Sequence, residues 1–316
     1  MQRRRLARIT RLNDTNVSYV LPPGNISAPV TLLVGLFSTW PASRAFVRQS
    51  WARALASDIR LWFLASVPST GSPDIWLERR RHADLLLFDE MREAYSLAGV
   101  YSSLPLKSLT LYDAATRHAS FAFLLKTDDD VYVNLPGVRA VLALAPRERC
   151  YAGYVYRNIH PDRRHWSKYR DRVWRANATS GMVHLARMVQ RARNGSAADR
   201  ASVAAWDSAL SNEAEPPYAD YADGIGELLS SDVAGCISRL LPTYVVPSPI
   251  ADVVTGHAVR QCRVRARSQL PATQAQLGLW NATLREEQLI FVWHAGRSIA
   301  VEPFRRNRIR FVLLPH

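Results

Sequence analysis

Residues 121–134 read FAFLLKTDDDVYVN, a stretch that restricts the possible folds severely. Five of the six residues before Thr127 are uncharged and nearly all are apolar, which is the composition of a strand buried on both faces. Three aspartates follow, Asp128, Asp129 and Asp130. Like charges repel, and carboxylates lose hydration as they approach a core. The triplet must therefore end in solvent or gather around a cation. On an extended backbone Asp128 and Asp130 point to one side and Asp129 to the other. Two converging carboxylates begin a site for a hard divalent cation such as manganese or magnesium. A solvated acidic loop is the competing reading. The apolar segment VYVN that follows weighs against it.

Similar apolar runs recur along the chain. VTLLVGLF (30–37), IRLWFLAS (59–66) and ADLLLFDE (83–90) read as buried strands. PASRAFVRQSWARALA (41–56) reads as a helix with Pro41 in its first turn and Val47, Trp51 and Leu55 on its core face,. LKSLTLYDAATRHA (106–119) and LPGVRAVLALA (135–145) read as further helices. Short apolar strands separated by helices give an α/β fold with a mainly parallel sheet. Ligands of such sheets bind beyond the carboxyl ends of the strands, and the acidic triplet falls at one of them. Residues 1–28 are polar and basic and contain PPG, so they read as a stalk or linker. Residues 170–215 read as a surface insertion, with no internal repeat anywhere.

The net charge of +14 comes almost wholly from arginine dispersed along the chain, lysine occurring only at Lys107, Lys126 and Lys168. Nucleic-acid binders more often cluster basic and aromatic residues on one element, so no nucleic acid is expected. Three cysteines without a CxxC pair exclude a disulfide scaffold and argue against structural zinc,. Six Asn-X-Ser/Thr sequons, at Asn13, Asn16, Asn25, Asn177, Asn194 and Asn281, suggest glycosylation in the secretory pathway,. No apolar run reaches the length of a spanning helix,. An anchor upstream of this sequence is therefore the expectation.

KTDDDVYVN resembles the metal-binding segment of the β1,3-glycosyltransferases. SRAFVRQSW (43–51), LPLKSL (104–109), PPYADYADGIGELLSSDVA (216–234) and PIADVVTG (249–256) are similar to further motifs of that family, in the same order. The resemblance implies a GT-A nucleotide-sugar fold over residues 29–316, a mixed, mainly parallel sheet flanked by helices, and a place in the Golgi membrane with a lumenal catalytic domain. It implies metal-dependent, inverting transfer of galactose or N-acetylglucosamine from a UDP-sugar to a hydroxyl, expected to be O3, of a glycan on a glycoprotein or glycolipid. A catalytically impaired carbohydrate- or polyanion-binding protein with the same fold is the alternative. A magnesium phosphotransferase is disfavoured, since no later acidic GDGxxD segment occurs,.

By the same resemblance the metal ligands are Asp130, Asp128 and His294, with His257 competing for the last place. Asp252 is the expected catalytic base, although an aspartate there is also a good helix N-cap. Arg44 and Arg48 lie at i, i+4 near a helix N-terminus, where they favour the UDP diphosphate or nearby carboxylates; a solvated basic face is the plain reading. Asp84, Asp129, Gly224 and Gly226 complete the expected donor site, the glycines allowing close backbone approach. Asp223 and Glu227 are read as contacts to sugar hydroxyls, Glu227 standing where the family commonly has an aromatic residue. Ala251 likewise replaces a family acid.

Overall fold

The computed structural model describes residues 7–8, 18–23, 28–38, 40–67, 73–89, 104–129, 131–161, 171, 191, 195–212, 216–267, 291–293, 299–301 and 311–313. Its strands are β1 (Ala7–Arg8), β2 (Ser18–Val20), β3 (Val30–Phe37), β4 (Ile59–Val67), β5 (Leu85–Asp89), β6 (Phe121–Asp128), β7 (Val131–Val133), β8 (Tyr151–Ala152), β9 (Val155–Tyr156), β10 (Tyr221–Ala222), β11 (Glu227–Ser230), β12 (Phe291–Trp293), β13 (Ile299–Val301) and β14 (Phe311–Leu313). The helices are α1 (Pro41–Gln49), α2 (Pro73–His82), α3 (Leu104–His118), α4 (Leu135–Leu144), α5 (Ala197–Asn212), α6 (Ser231–Leu240) and α7 (Ala251–Gln261).

The main sheet has the order β1-β2-β5-β4-β3-β6-β11-β8. Strands β5, β4, β3 and β6 run parallel, and the strands on either flank pair antiparallel. The fold is thus α/β with a parallel centre, as the alternating pattern predicts. Successive side chains of β3 enter opposite layers, Leu32, Val34 and Leu36 one, Leu33 and Phe37 the other,. The first layer takes Val47 of α1 and Trp51 just after it, Ile75 of α2, and Leu135, Val138 and Leu142 of α4. The second takes α3, α6 and α7. Gly35 lets α3 come close: a Cβ there would fall 2.4 Å from Leu111 Cδ2.

Three local expectations are corrected. The helix expected over 41–56 stops at Gln49 and resumes as a 3-10 turn at Trp51–Ala54. Between them the Ser50 hydroxyl donates to Val47 O, a local bond that competes with the helical ladder,. Ser18–Val20, expected in the stalk, joins the edge of the sheet, where Tyr19 is buried and donates to Asp113. Asp171, expected in the surface insertion, is fully buried and accepts bonds from Tyr218 and Ser248. A Cys236–Cys262 disulfide ties α6 to the end of α7, and Cys150 is buried and free.

Candidate active site

The site grows from the carboxyl end of β6. Phe37 is the cross-strand partner of Asp128, and the amide of Asp129 donates to Phe37 O at 3.1 Å. Two residues earlier, Lys126 faces the α3–α7 layer and is 1% exposed. Antiparallel pairing puts Glu227 directly opposite it, within reach of a cross-strand ion pair. Lys126 Nζ donates to Glu227 Oε1 at 2.7 Å and to Asp252 Oδ1 at 3.0 Å, and lies 5.1 Å from the Phe37 ring centroid. Burial alone would discharge the ammonium. The carboxylates of Asp252, Glu227 and Asp128 outweigh it and hold the Lys126 proton more tightly than usual,. Burial pushes the Glu227 carboxyl up to about 8, the Lys126 charge opposing and the Asp252 charge assisting the rise. The inward position of Glu227 corrects the expectation that it meets sugar hydroxyls.

Asp252 is the second residue of α7, whose N-cap is Ile250. Its carboxylate does not cap its own helix. Oδ1 accepts a hydrogen bond from Lys126 Nζ, Oδ2 accepts from the Gly224 amide at 2.9 Å, and the side chain keeps 25% exposure. A Cβ on Gly224 would lie 2.8 Å from Asp252 Oδ1, so glycine here makes room for the carboxylate. Gly226 meets another glycine, since a Cβ on Gly153 would fall 2.5 Å from Gly226 O. Next to Asp252, Asp223 accepts from Tyr156 Oη at 2.9 Å. Its carboxyl is raised by burial first and then by the Asp252 charge. Tyr154, Tyr156, Tyr221 and Tyr218 follow in a chain of ring contacts 5.1–6.0 Å apart.

Arg44, Arg48 and Asp84 come together with one another, and with Glu78, which sequence reading did not single out. Arg44 grips Glu78 through two bonds of 2.9 and 2.6 Å and donates to Ser38 Oγ, just beyond β3. Arg48 bridges Glu78 at 2.7 Å and Asp84 at 2.7 and 2.8 Å. With Arg44 1% and Arg48 15% exposed, the solvated basic face is excluded.

Asp130 and His294 lie outside the described residues, as do Asn13, Asn16, Asn25, Asn177, Asn194 and Asn281. Their neighbours in sequence are informative. β12 pairs antiparallel with β7 so that Trp293 opposes Val131. His257 is engaged elsewhere, its Nδ1 2.9 Å from Tyr244 Oη. Burial holds its imidazole down near about 4, with Arg260 adding to the effect. Among the described residues no group of three or more His, Cys, Asp or Glu forms a metal-holding cluster. The pairing of Lys126 with Glu227 was missed in the sequence. Its only signal is a single lysine inside an apolar strand, which demands a buried counter-charge.

Residues 42–269 match the galactosyltransferase family. The chain is 26% identical to beta-1,3-galactosyltransferase 4 of Canis lupus familiaris over 75% of its own length and 63% of the relative's. It is 30% identical to human UDP-GlcNAc:betaGal beta-1,3-N-acetylglucosaminyltransferase 8 over 50% and 38% of the two lengths. Identity to gorilla beta-1,3-galactosyltransferase 5 is 27% over 40% and 43%. The chain spans less than two thirds of each of these relatives.

Proposed function

The chain belongs to the galactosyltransferase family, and on that premise we propose that it is an inverting hexosyltransferase acting from a UDP-sugar, UDP-galactose or UDP-N-acetylglucosamine, onto a glycan hydroxyl. The observation that carries this reading is the carboxylate of Asp252, fixed at both oxygens yet partly exposed, beside the strand that ends in the acidic triplet. Each of its oxygens accepts one described bond, which leaves acceptor capacity for an incoming hydroxyl. Asp252 takes the acceptor proton as that oxygen bonds to the anomeric carbon. The bond from that carbon to UDP breaks in the same displacement, and the configuration inverts.

Asp128, with Asp130 and His294, would hold a manganese or magnesium ion; these oxygen and imidazole donors suit it, and the bound ion would neutralise charge on the leaving diphosphate. Asp129, Gly224 and Gly226 complete the donor side of the proposal. Arg44, Arg48 and Asp84 are assigned to supporting the turn at Ser38 beside Asp128, because their charged groups are taken up by Glu78 and by one another. A Golgi-lumenal location is proposed as well. The Cys236–Cys262 bridge favours an oxidising compartment,. Among the described residues no helix is long and apolar enough to cross a membrane.

A panel of UDP-sugars, with UDP release as the readout, tests the reading on wild type, Asp130→Ala and Asp252→Asn. Asp130→Ala is expected to lose metal-dependent donor binding, and Asp252→Asn to bind UDP normally while transferring little. Sugar binding without UDP release from any donor would favour the impaired, carbohydrate-binding alternative instead.

A further inference from the structure

We propose that Lys126 is a positioning residue, whose buried ammonium, steered by Glu227, fixes the carboxylate of Asp252 in the orientation from which it receives the acceptor proton. This rests on the reading of Asp252 as the base.

The direction of the ammonium is set from three sides. Glu227 Oε1 lies at 2.7 Å, Asp252 Oδ1 at 3.0 Å, and the Phe37 ring lies 5.1 Å away on the neighbouring strand. An ammonium has three donors and a flexible stem, so a rigid second partner is needed to aim it. Glu227 is that partner, for it is fully buried in β11. Its other oxygen accepts from Tyr112 Oη at 3.1 Å, and the same hydroxyl lies 3.0 Å from Thr255 Oγ1. Thr255 sits on α7, one turn beyond Asp252, and its hydroxyl donates either to Tyr112 Oη or to Ala251 O, 3.2 Å away. The polar contacts therefore form a closed ring. They leave α7 at Asp252, pass through Lys126, Glu227 and Tyr112, and return to α7 at Thr255.

Such a ring fixes the helix that carries the carboxylate and the carboxylate itself. The Gly224 amide then holds Oδ2, leaving little rotational freedom about the side-chain bonds. Reaction rates are sensitive to misplacement on the scale of an ångström, and this gives Lys126 a contribution separate from holding the sheet together.

The experiment compares Lys126→Met, Lys126→Arg, the double variant Lys126→Met/Glu227→Met, and Asp252→Asn. The readouts are UDP release from UDP-galactose and from UDP-N-acetylglucosamine, with p-nitrophenyl β-galactoside as acceptor, alongside thermal unfolding. Lys126→Met alone leaves the buried Glu227 carboxyl beside Asp252 without its counter-charge and is expected to unfold more easily. The double variant replaces the ion pair by apolar groups of similar size, a change that buried pairs often tolerate. It is expected to fold as wild type does, yet to lose about 100-fold in kcat while the donor KM stays within about twofold. Lys126→Arg, which keeps the charge and donors, is expected to recover part of that loss. A folded double variant with wild-type turnover would show that Lys126 serves the fold alone and would overturn the proposal. If Asp252→Asn is inactive while the double variant is active, only the positioning role fails. Full turnover by Asp252→Asn would sink the base assignment and this inference together.

Discussion

Two buried ionic clusters flank the same end of the sheet, and they differ in arithmetic. On the α1 layer, two guanidinium groups face two carboxylates, Arg44 and Arg48 against Glu78 and Asp84, at 2.6–2.9 Å. On the α7 layer, one ammonium, Lys126, faces Glu227 and Asp252. The first set is balanced and saturated, so it holds α1, α2 and the turn at Ser38 in place with little left to bind. The second carries more negative than positive charge. Burial, assisted by the Asp252 charge, raises the Glu227 carboxyl, and Asp252 is the member of the trio open to solvent. A charge-matched cluster builds structure. A mismatched one keeps a carboxylate available for a proton.

The largest effect expected from breaking the contrast is kinetic. Asp252→Asn removes the open carboxylate of the mismatched cluster and should lower kcat by about 10³–10⁴-fold, with UDP affinity and melting temperature nearly unchanged. Steady-state kinetics and calorimetric titration with UDP measure this. Next comes the balanced cluster. Arg44→Met strands Glu78 and should cost about 3–4 kcal/mol in urea unfolding, with a much smaller loss of turnover per folded molecule.

A smaller effect is read in pH. The folded state binds the Glu227 proton more tightly than the unfolded chain does. The resulting stabilisation is full below about pH 4.5 and is lost as pH rises through about 8. Urea unfolding across that range should show Glu227→Gln removing the slope. His257 has the opposite sign. Its folded value is depressed to about 4, so stability is retained above pH 6.5 and falls as pH drops toward 4. His257→Gln should flatten that acid limb, the smallest of the four changes.

Much of this frame is legible from residues 30–145. VTLLVGLF is strand β3 with the same ends, because a run buried on both faces has no other stable position. Helices expected at 106–119 and 135–145 occur within two residues of their predicted bounds. The stop at Gln49 has no marker in the sequence, where RQSW continues the helical pattern. The Arg44–Glu78 grip was equally hidden, since its partners are 34 residues apart and the sequence shows only two arginines on a helix. At the site, Asp252 was visible as a residue, but its partners were not. Lys126 and Glu227 meet through an antiparallel register that joins positions 101 residues apart, and nothing local in DGIGE tells an inward Glu227 from an outward one. That Gly224 also makes room for the Asp252 carboxylate is invisible in the sequence, because the two positions meet only in the fold.

The pairing of β12 with β7 has a consequence for biosynthesis. A ribosome reaches Trp293 about 160 residues after Val131, roughly 10–30 s later at ordinary elongation rates. For that interval the strand leaving the acidic corner waits without its β12 partner, exposed to whatever chaperone or stray peptide first offers it a ladder,. The emergence of β12 thus decides when that strand stops being vulnerable.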